Sequence, residues 1–279
     1  MKTQSADTSP EAERVQIALL RRVSPEKRLD LALDLSAWTL KLSLAGLRRR
    51  HPEASVCDLL WMSAALRYGT TVAEQGRRHS KGDRDVSIPE NIRPAVAPVI
   101  AALDELGIAY YIGGSLASSL HGIPRSTMDV DLVAMLQPGQ VGALLDKLQD
   151  QYYVDEQTVR EAIQHHSSFN LIHFDTSLKV DIFVLKPRDY DQEAFRRRAH
   201  GEGPEGALTW ATPEDTVLAK LEWYRLGGET SERQWLDVLG VMKVQAEALD
   251  LAYLRHWAPE LGVADLLARA LVDAGLAKG

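Results

Sequence analysis

The 279-residue chain has one cysteine, four phenylalanines and no long uninterrupted apolar run. Each scarcity excludes something. Cys57 has no second cysteine to form an internal disulfide, and no Cys/His spacing suggests structural zinc, so Cys57 reads as a buried small hydrophobe. The apolar stretch near "AVAPVIAAL" is about half of the ~20 residues that a membrane-spanning helix requires, and the N-terminus "MKTQSADTSPEAER" lacks the apolar core of a signal peptide. The expectation is a cytoplasmic protein with no membrane contact. A net charge of −7 argues against a constitutive coat of nucleic acid.

What is present is 45% hydrophobic and 25% charged residues, the balance of a globular chain with a real core. The charge is uneven. Through Glu90 there are 15 Lys+Arg against 12 Asp+Glu, a basic segment preceding an acidic one. It reads either as solvated helix faces or as a piece that docks onto the rest of the chain or onto an acidic partner.

Residues from Arg14 to about Gly69 have helical periodicity. Ser24 can cap a helix with Pro25 in its first turn, Leu29, Leu31, Leu33, Leu35, Trp38, Leu40 and Leu42 supply a broad apolar face, and Gly46 with Pro52 ends the run. Arg48 to Arg50 sit where cations complement a helix C-terminus. A second helix spans about Ser55 to Tyr68. Residues 71–92 are polar and glycine-bearing, which predicts a linker. Thereafter the pattern is strand, helix, strand, helix and hairpin, and from Thr212 onward it is helical throughout. The predicted organisation is a helical N-terminal segment (1–70), a linker (71–92), an α/β core on a small mixed sheet (93–211) and a helical C-terminal domain (212–279).

The chemistry concentrates in "YYIGGSLASSLHGIPRSTMDVDLVAML". Side chains two apart on a strand share a face, so Asp129 and Asp131 project together while Val130 and Leu132 turn to the core. A hard divalent cation relieves the repulsion between such carboxylates, and Mg²⁺ characteristically combines one or two of them with substrate phosphates. In "LKVDIFV", Asp181 joins them if that strand is a neighbour. Gly113 and Gly114 permit a sharp turn into a helix whose N-terminal N–H groups, with the Ser115 hydroxyl, can receive an anion. Each feature has a plainer reading, as a turn and as an exposed strand edge. His121, His165, His166 and His173 fit packing better than metal ligation. The run Arg196 to His200 reads as helix-end charge compensation or as a guide for RNA.

"GGS", then "PRSTMDVDLV", then a later strand carrying Asp181 resemble the signature of the nucleotidyltransferase superfamily of the DNA polymerase β type. The arginine and threonine before the acidic pair, with "TPEDTVLAKLEWYRLGGETSERQWLDVLGV", resemble more narrowly the AbiE-type toxin nucleotidyltransferases of toxin–antitoxin and phage-defence systems. The likeness runs from about Arg93 to Gly262. It implies Mg²⁺-dependent transfer of a nucleoside monophosphate from an NTP such as ATP to a hydroxyl acceptor, a tRNA 3′ end or a protein. It also implies that Asp129, Asp131 and Asp181 are the catalytic, metal-holding acids. Gly113, Gly114, Ser115, Arg125, Thr127, Lys220 and Asp237 would contact the nucleotide, with Ser118 or Ser119 as substitutes for Ser115. Read without the resemblance, Lys220 is a possible phosphate-binding charge or a surface lysine, and Asp237 a possible partner of Arg233 at i,i+4. "AGLRRRHPEAS" resembles a small helical protein encoded beside such transferases, which implies a fused accessory or antitoxin-like segment docked within the chain. A catalytically silent nucleotide- or metal-binding module, or an antitoxin-like interaction protein, is the alternative.

Overall fold

The computed structural model of the chain describes residues 2–5, 7–79, 88, 91–203 and 206–277. The elements run α1 (Pro10–Arg22), α2 (Pro25–Arg50), α3 (Val56–Tyr68), α4 (Thr70–His79), α5 (Ala97–Glu105), β1 (Tyr110–Ile112), α6 (Gly114–His121) and β2 (Asp129–Ala134). They continue with α7 (Val141–Leu148), β3 (Tyr152–Tyr153), α8 (Glu156–His165), β4 (Ser168–His173), β5 (Lys179–Val184), α9 (Asp189–Arg197), β6 (Ala199–Gly203) and β7 (Gly206–Trp210). Helices α10 (Pro213–Leu226), α11 (Glu232–Gln245), α12 (Leu251–Glu260) and α13 (Ala264–Ala274) close the chain. The fold is α/β with a mixed sheet. Among the described residues no helix is long and apolar enough to cross a membrane.

The chain divides into two compact units, and the division does not follow linear segments. One contains Met1–Ala32, Tyr111–Arg125 and Arg188–Gly279; the other contains Leu33–Tyr110 and Ser126–Pro187. The helical N-terminal stretch is therefore shared between them, and a strand of the expected α/β core lies in each.

In the second unit the strands are ordered β3-β4-β5-β2. β2 and β5 run parallel with Asp131 opposite Asp181, and β4 and β5 form the expected antiparallel hairpin with Asn170 opposite Asp181. Val130, Leu132, Ala134, Val180, Ile182, Val184, Phe169 and Leu171 are buried on one face, against which α8 packs. Such alternation follows from the two-residue period of a strand with one wet face.

Helices α3 and α4 pack in this unit as well. Trp61, Ala64 and Ala73 form a cluster with Ile172 and Phe174, and half-buried Cys57 lies against it. The predicted linker is thus helical at its start. Val72, Ala73 and Gly76 turn inward at i, i+1 and i+4, and Gly76 lies against Trp61, where a Cβ would come within 2.5 Å of the indole. Its polar composition belongs to the exposed face, and most of residues 80–92 lie outside the described residues.

The apolar face of α2 also differs from expectation. Leu29, Leu33, Leu40, Leu44 and Leu47 are buried, whereas Leu31, Leu35, Trp38 and Leu42 form an exposed stripe. The helix continues through Gly46 to Arg50, because nothing there requires glycine's special backbone freedom and the break comes only before Pro52.

In the first unit, α10 to α13 enclose a core of Val217, Leu218, Leu221, Trp235, Leu239, Met242, Leu254 and Leu267. β1 pairs with β7 through Ile112 and Trp210, and β6 and β7 form a hairpin not anticipated from the glycine-rich "HGEGPEGAL". Helix α1 is held to α11 by a buried ion pair. Glu13 and Lys243 are essentially inaccessible, with Nζ 3.1 Å from both carboxylate oxygens; Gln4 N donates to the same carboxylate at 2.7 Å, and Nζ also donates to the Lys2 carbonyl.

Removing one partner leaves a buried unpaired charge. Lys243→Met is expected to lower the unfolding free energy in a urea titration by about 3–5 kcal/mol, and Glu13→Leu/Lys243→Met to recover most of that loss.

Candidate active site

The acids and the glycine turn lie in different units. In the second unit, the wet face of the sheet carries Asp129 and Asp131 on β2 and Lys179 and Asp181 on β5. The register makes Asp131 the neighbour of Asp181 and Asp129 the neighbour of Lys179. Lys179 Nζ lies 2.7 Å from Asp181 Oδ2, and Asn170 Nδ2 reaches the other oxygen at 3.5 Å. Asp129 is exposed at the start of its strand, and Asp131 is half-buried.

The carboxylate pair Asp129 and Asp131 offers hard oxygen donors of the kind a divalent cation takes, so its chemistry fits Mg²⁺. In this arrangement Asp181 is neutralised by Lys179. Among the described residues, no three His, Cys, Asp or Glu side chains form a group able to hold a metal ion.

Residues from the N-terminal helices set the approach to this face. Thr127 N donates to Ser36 Oγ at 2.9 Å, and the buried Thr127 hydroxyl donates to the Asp129 carbonyl at 3.3 Å. Tyr68 OH donates to the Met128 carbonyl at 3.0 Å and receives a hydrogen bond from Arg67 Nη1 at 2.8 Å; Lys179 Nζ stands 5.4 Å from the Tyr68 ring centre. Burial pushes the Tyr68 phenol up to about 12, so it remains a donor at neutral pH. Ser36, Arg67 and Tyr68 were not singled out from the sequence, since a lone serine or tyrosine on a helix carries no mark of its distant partner. Lys179 could have been, because it shares a strand face with Asp181.

In the first unit, Gly113 and Gly114 lead from β1 into α6, and Gly114 adopts φ +55°, the left-handed conformation that glycine allows. The first-turn N–H groups of α6 lack intrahelical acceptors by the geometry of any helix. Ser115 Oγ accepts a hydrogen bond from Arg125 Nη2 at 2.7 Å. Ser118 and Ser119 are buried and engaged otherwise: Ser118 Oγ donates to the Gly114 carbonyl, and Ser119 Oγ accepts from Arg125 N at 3.4 Å.

Arg125 is the centre of a larger network. Its Nε donates to Asp237 Oδ1 at 2.6 Å and its Nη2 to Oδ2 at 2.8 Å, while Lys220 Nζ donates to Oδ2 at 2.8 Å. Asp237 thus serves two cations rather than Arg233. Burial alone would raise its pKa; the guanidinium and the ammonium outweigh this and hold it below the ordinary carboxylate range. Close backbone packing sets the approach. A Cβ on Gly122 would come within 2.7 Å of Val241 N on α11, so only glycine lets the chain after α6 run this near to the helix bearing Asp237.

The remaining expectations resolve as packing. His121 is buried with Nε2 2.7 Å from the Ala211 carbonyl, and burial pulls its pKa down to about 4. His173 contacts Thr176 Oγ1 and the Tyr152 ring, and His166 the Leu185 carbonyl. Arg196 pairs with Glu193, Arg197 pairs with Glu214 and covers the Tyr253 ring, and Arg198 donates to the Phe195 carbonyl. Each arginine of the basic run thus has an intramolecular partner.

Residues 21–87 match the family model described as Rv0078B-related antitoxin. Three solved structures show weak likeness in fold. An antigenic nucleotidyltransferase-like protein from Paracoccidioides brasiliensis is 21% identical, with 60% of this chain and 89% of that one covered at a TM-score of 0.38. The antibiotic-resistance factor ANT(2″)-Ia in solution is 14% identical, with coverage of 65% and 92% and a TM-score of 0.34. ANT(2″)-Ia in complex with adenylyl-2″-tobramycin is 13% identical, with coverage of 63% and 96% and a TM-score of 0.35. No curated protein matches the chain in sequence.

Two outcomes follow from this geometry. Asp237→Ala leaves Arg125 and Lys220 without their shared counter-charge, and urea unfolding should show a loss of about 3–5 kcal/mol, reduced when Lys220→Met is added. The buried neutral His121 has a folded pKa below its ordinary 6.5, so the unfolded chain binds more protons between about pH 6.5 and 4 and stability falls as pH falls through that window. The contribution is on the order of 3 kcal/mol, measured as the difference in pH dependence between the wild type and His121→Gln.

Proposed function

We propose that the chain is a nucleotidyltransferase that moves a nucleoside monophosphate from an NTP to a hydroxyl acceptor, in a system of the toxin–antitoxin kind. The observation that carries this reading is the acid-bearing sheet face: Asp129 and Asp131 two apart on β2, with Asp181 opposite Asp131 on the adjacent parallel strand. Metal-assisted phosphoryl transfer uses carboxylates held side by side, and this face carries them on two adjacent strands.

Asp129 and Asp131 would hold Mg²⁺, with Asp181 as the third acid once Lys179 gives up its carboxylate. The ion, when bound, supplies charge neutralisation for the triphosphate. Gly113, Gly114 and Ser115 bind phosphate through backbone N–H groups and a hydroxyl. Arg125 and Lys220 add two cations against the single negative charge of Asp237, leaving a net positive charge for the anion. Thr127 acts as a positioning residue through the Asp129 carbonyl. In the reaction an acceptor oxygen forms a bond to the α-phosphorus, the bond to pyrophosphate breaks, and the hydroxyl proton passes to a carboxylate of the acidic face.

The match of residues 21–87 to an antitoxin family supports a regulatory role for that segment. Ser36 and Tyr68, both within it, hold Thr127 and Met128, the two residues before Asp129. The segment thereby sets where the acids stand. The acceptor hydroxyl of this reading is that of a tRNA 3′ end or a protein, and the donor is an NTP such as ATP.

The test is incubation of the full chain with labelled NTPs, Mg²⁺ and total cell extract, with pyrophosphate release followed and label traced into RNA, protein or small molecules. Transfer should fall by about 10³-fold or more in Asp129→Asn/Asp131→Asn while the circular dichroism melt is unchanged. Full transfer in the double variant would sink the assignment.

A further inference from the structure

A cationic pocket lies in the first unit, at the junction of α1 and α2. A pocket of about 450 Å³ is lined by Arg21, Arg22, Ser24 and Arg28, with Val244 and Gln245 on its other wall. Three of its lining side chains are cationic and none is acidic. The volume falls within the range of small-molecule sites.

Arg28 gives the pocket its character. Its side chain is buried, Nε donates to the Leu120 carbonyl at 2.8 Å, and Nη1 donates to the carbonyls of Leu20 at 3.0 Å and Val23 at 2.6 Å. These acceptors fix the guanidinium plane without cancelling its charge. Nη2 has no hydrogen-bond partner among the described residues. The opposite charge that acts on Arg28 is that of Glu26, which is exposed, and burial pulls the guanidinium pKa below its ordinary value. A buried cation in this position gains from a bound anion, because the anion restores the charge compensation that burial removed.

Two further groups point the same way. Arg21 is anchored through Nε and Nη2 on the Lys243 carbonyl at 3.1 and 2.7 Å, so its position is fixed before any ligand arrives. Ser24 and Pro25 form the N-terminus of α2, a helix of 26 residues whose positive end therefore opens at the pocket. Exposed Arg22 stands at the rim, with no ion pair among the described residues.

We propose that this pocket binds a phosphorylated small molecule, either free diphosphate or the diphosphate of a nucleotide. None of its lining residues is among those assigned to transfer, so the inference stands apart from the proposed function.

Titration calorimetry of the full chain with inorganic pyrophosphate in EDTA tests it, since chelation removes divalent-ion support at Asp129 and Asp131. One saturable event is expected, retained in Asp129→Asn/Asp131→Asn and in Lys220→Met. It should weaken tenfold or more in Arg22→Glu and return in Arg22→Lys; Arg22 is exposed, so a melting curve will show both variants folded. ADP in a parallel arm identifies the source: tighter binding than pyrophosphate marks a nucleotide, equal binding a diphosphate alone, and either supports the site. Absence of saturable binding, or its loss in Lys220→Met with Arg22→Glu unaffected, overturns the proposal whatever the transfer assay shows.

Discussion

One carboxylate holds two cations in the first unit, and much else there depends on it. Asp237 is nearly inaccessible and meets Arg125 through both oxygens and Lys220 through one. Two cations so near each other would repel in a poorly solvated place, and the single acid turns that repulsion into a rigid fork. The fork fixes Arg125 where its Nη2 also reaches Ser115 Oγ, so the turn entering α6 and the start of the C-terminal helices are tied by charge as well as by packing. Gly122 is the steric condition for this, since any Cβ there would strike the backbone of α11.

The second unit solves a different problem with the same economy. β2 and β5 bury a continuous apolar face and can therefore present carboxylates and a lysine on the other. The acids stand where the pleat and the register put them, and Lys179 keeps Asp181 from standing as an unpaired charge. Ser36 and Tyr68 then satisfy polar groups just ahead of Asp129, which makes the N-terminal helices part of the acidic face's support. Ser36 and Tyr68 both lie within the antitoxin-like match over residues 21–87. A change in those helices would therefore reach the acids through two hydrogen bonds and an apolar cluster.

The strands bearing Asp129, Asp131 and Asp181 were legible because alternation on a strand is local and survives in the residue order. So were the hairpin of β4 and β5, the helix after Gly113–Gly114 and the helical tail. The helix at the start of the polar stretch was not legible, because Gly76, a breaker by composition, is in fact small so that α4 can lie on Trp61. The broad apolar face of α2 is only partly inward, with Leu31, Leu35, Trp38 and Leu42 pointing out, since hydrophobicity in sequence does not say which side has a neighbour.

The sequence by itself determined which residues could carry chemistry: paired acids on one strand face, a glycine turn into a helix, and a lysine and an aspartate on later helices. Only the tertiary structure decided their partners. It joined Arg125 to an aspartate 112 positions away, set Lys179 against Asp181, and turned three arginines toward one pocket. Local periodicity is written in neighbouring residues, whereas charge compensation and burial depend on groups far apart in sequence that only folding brings within a few ångströms.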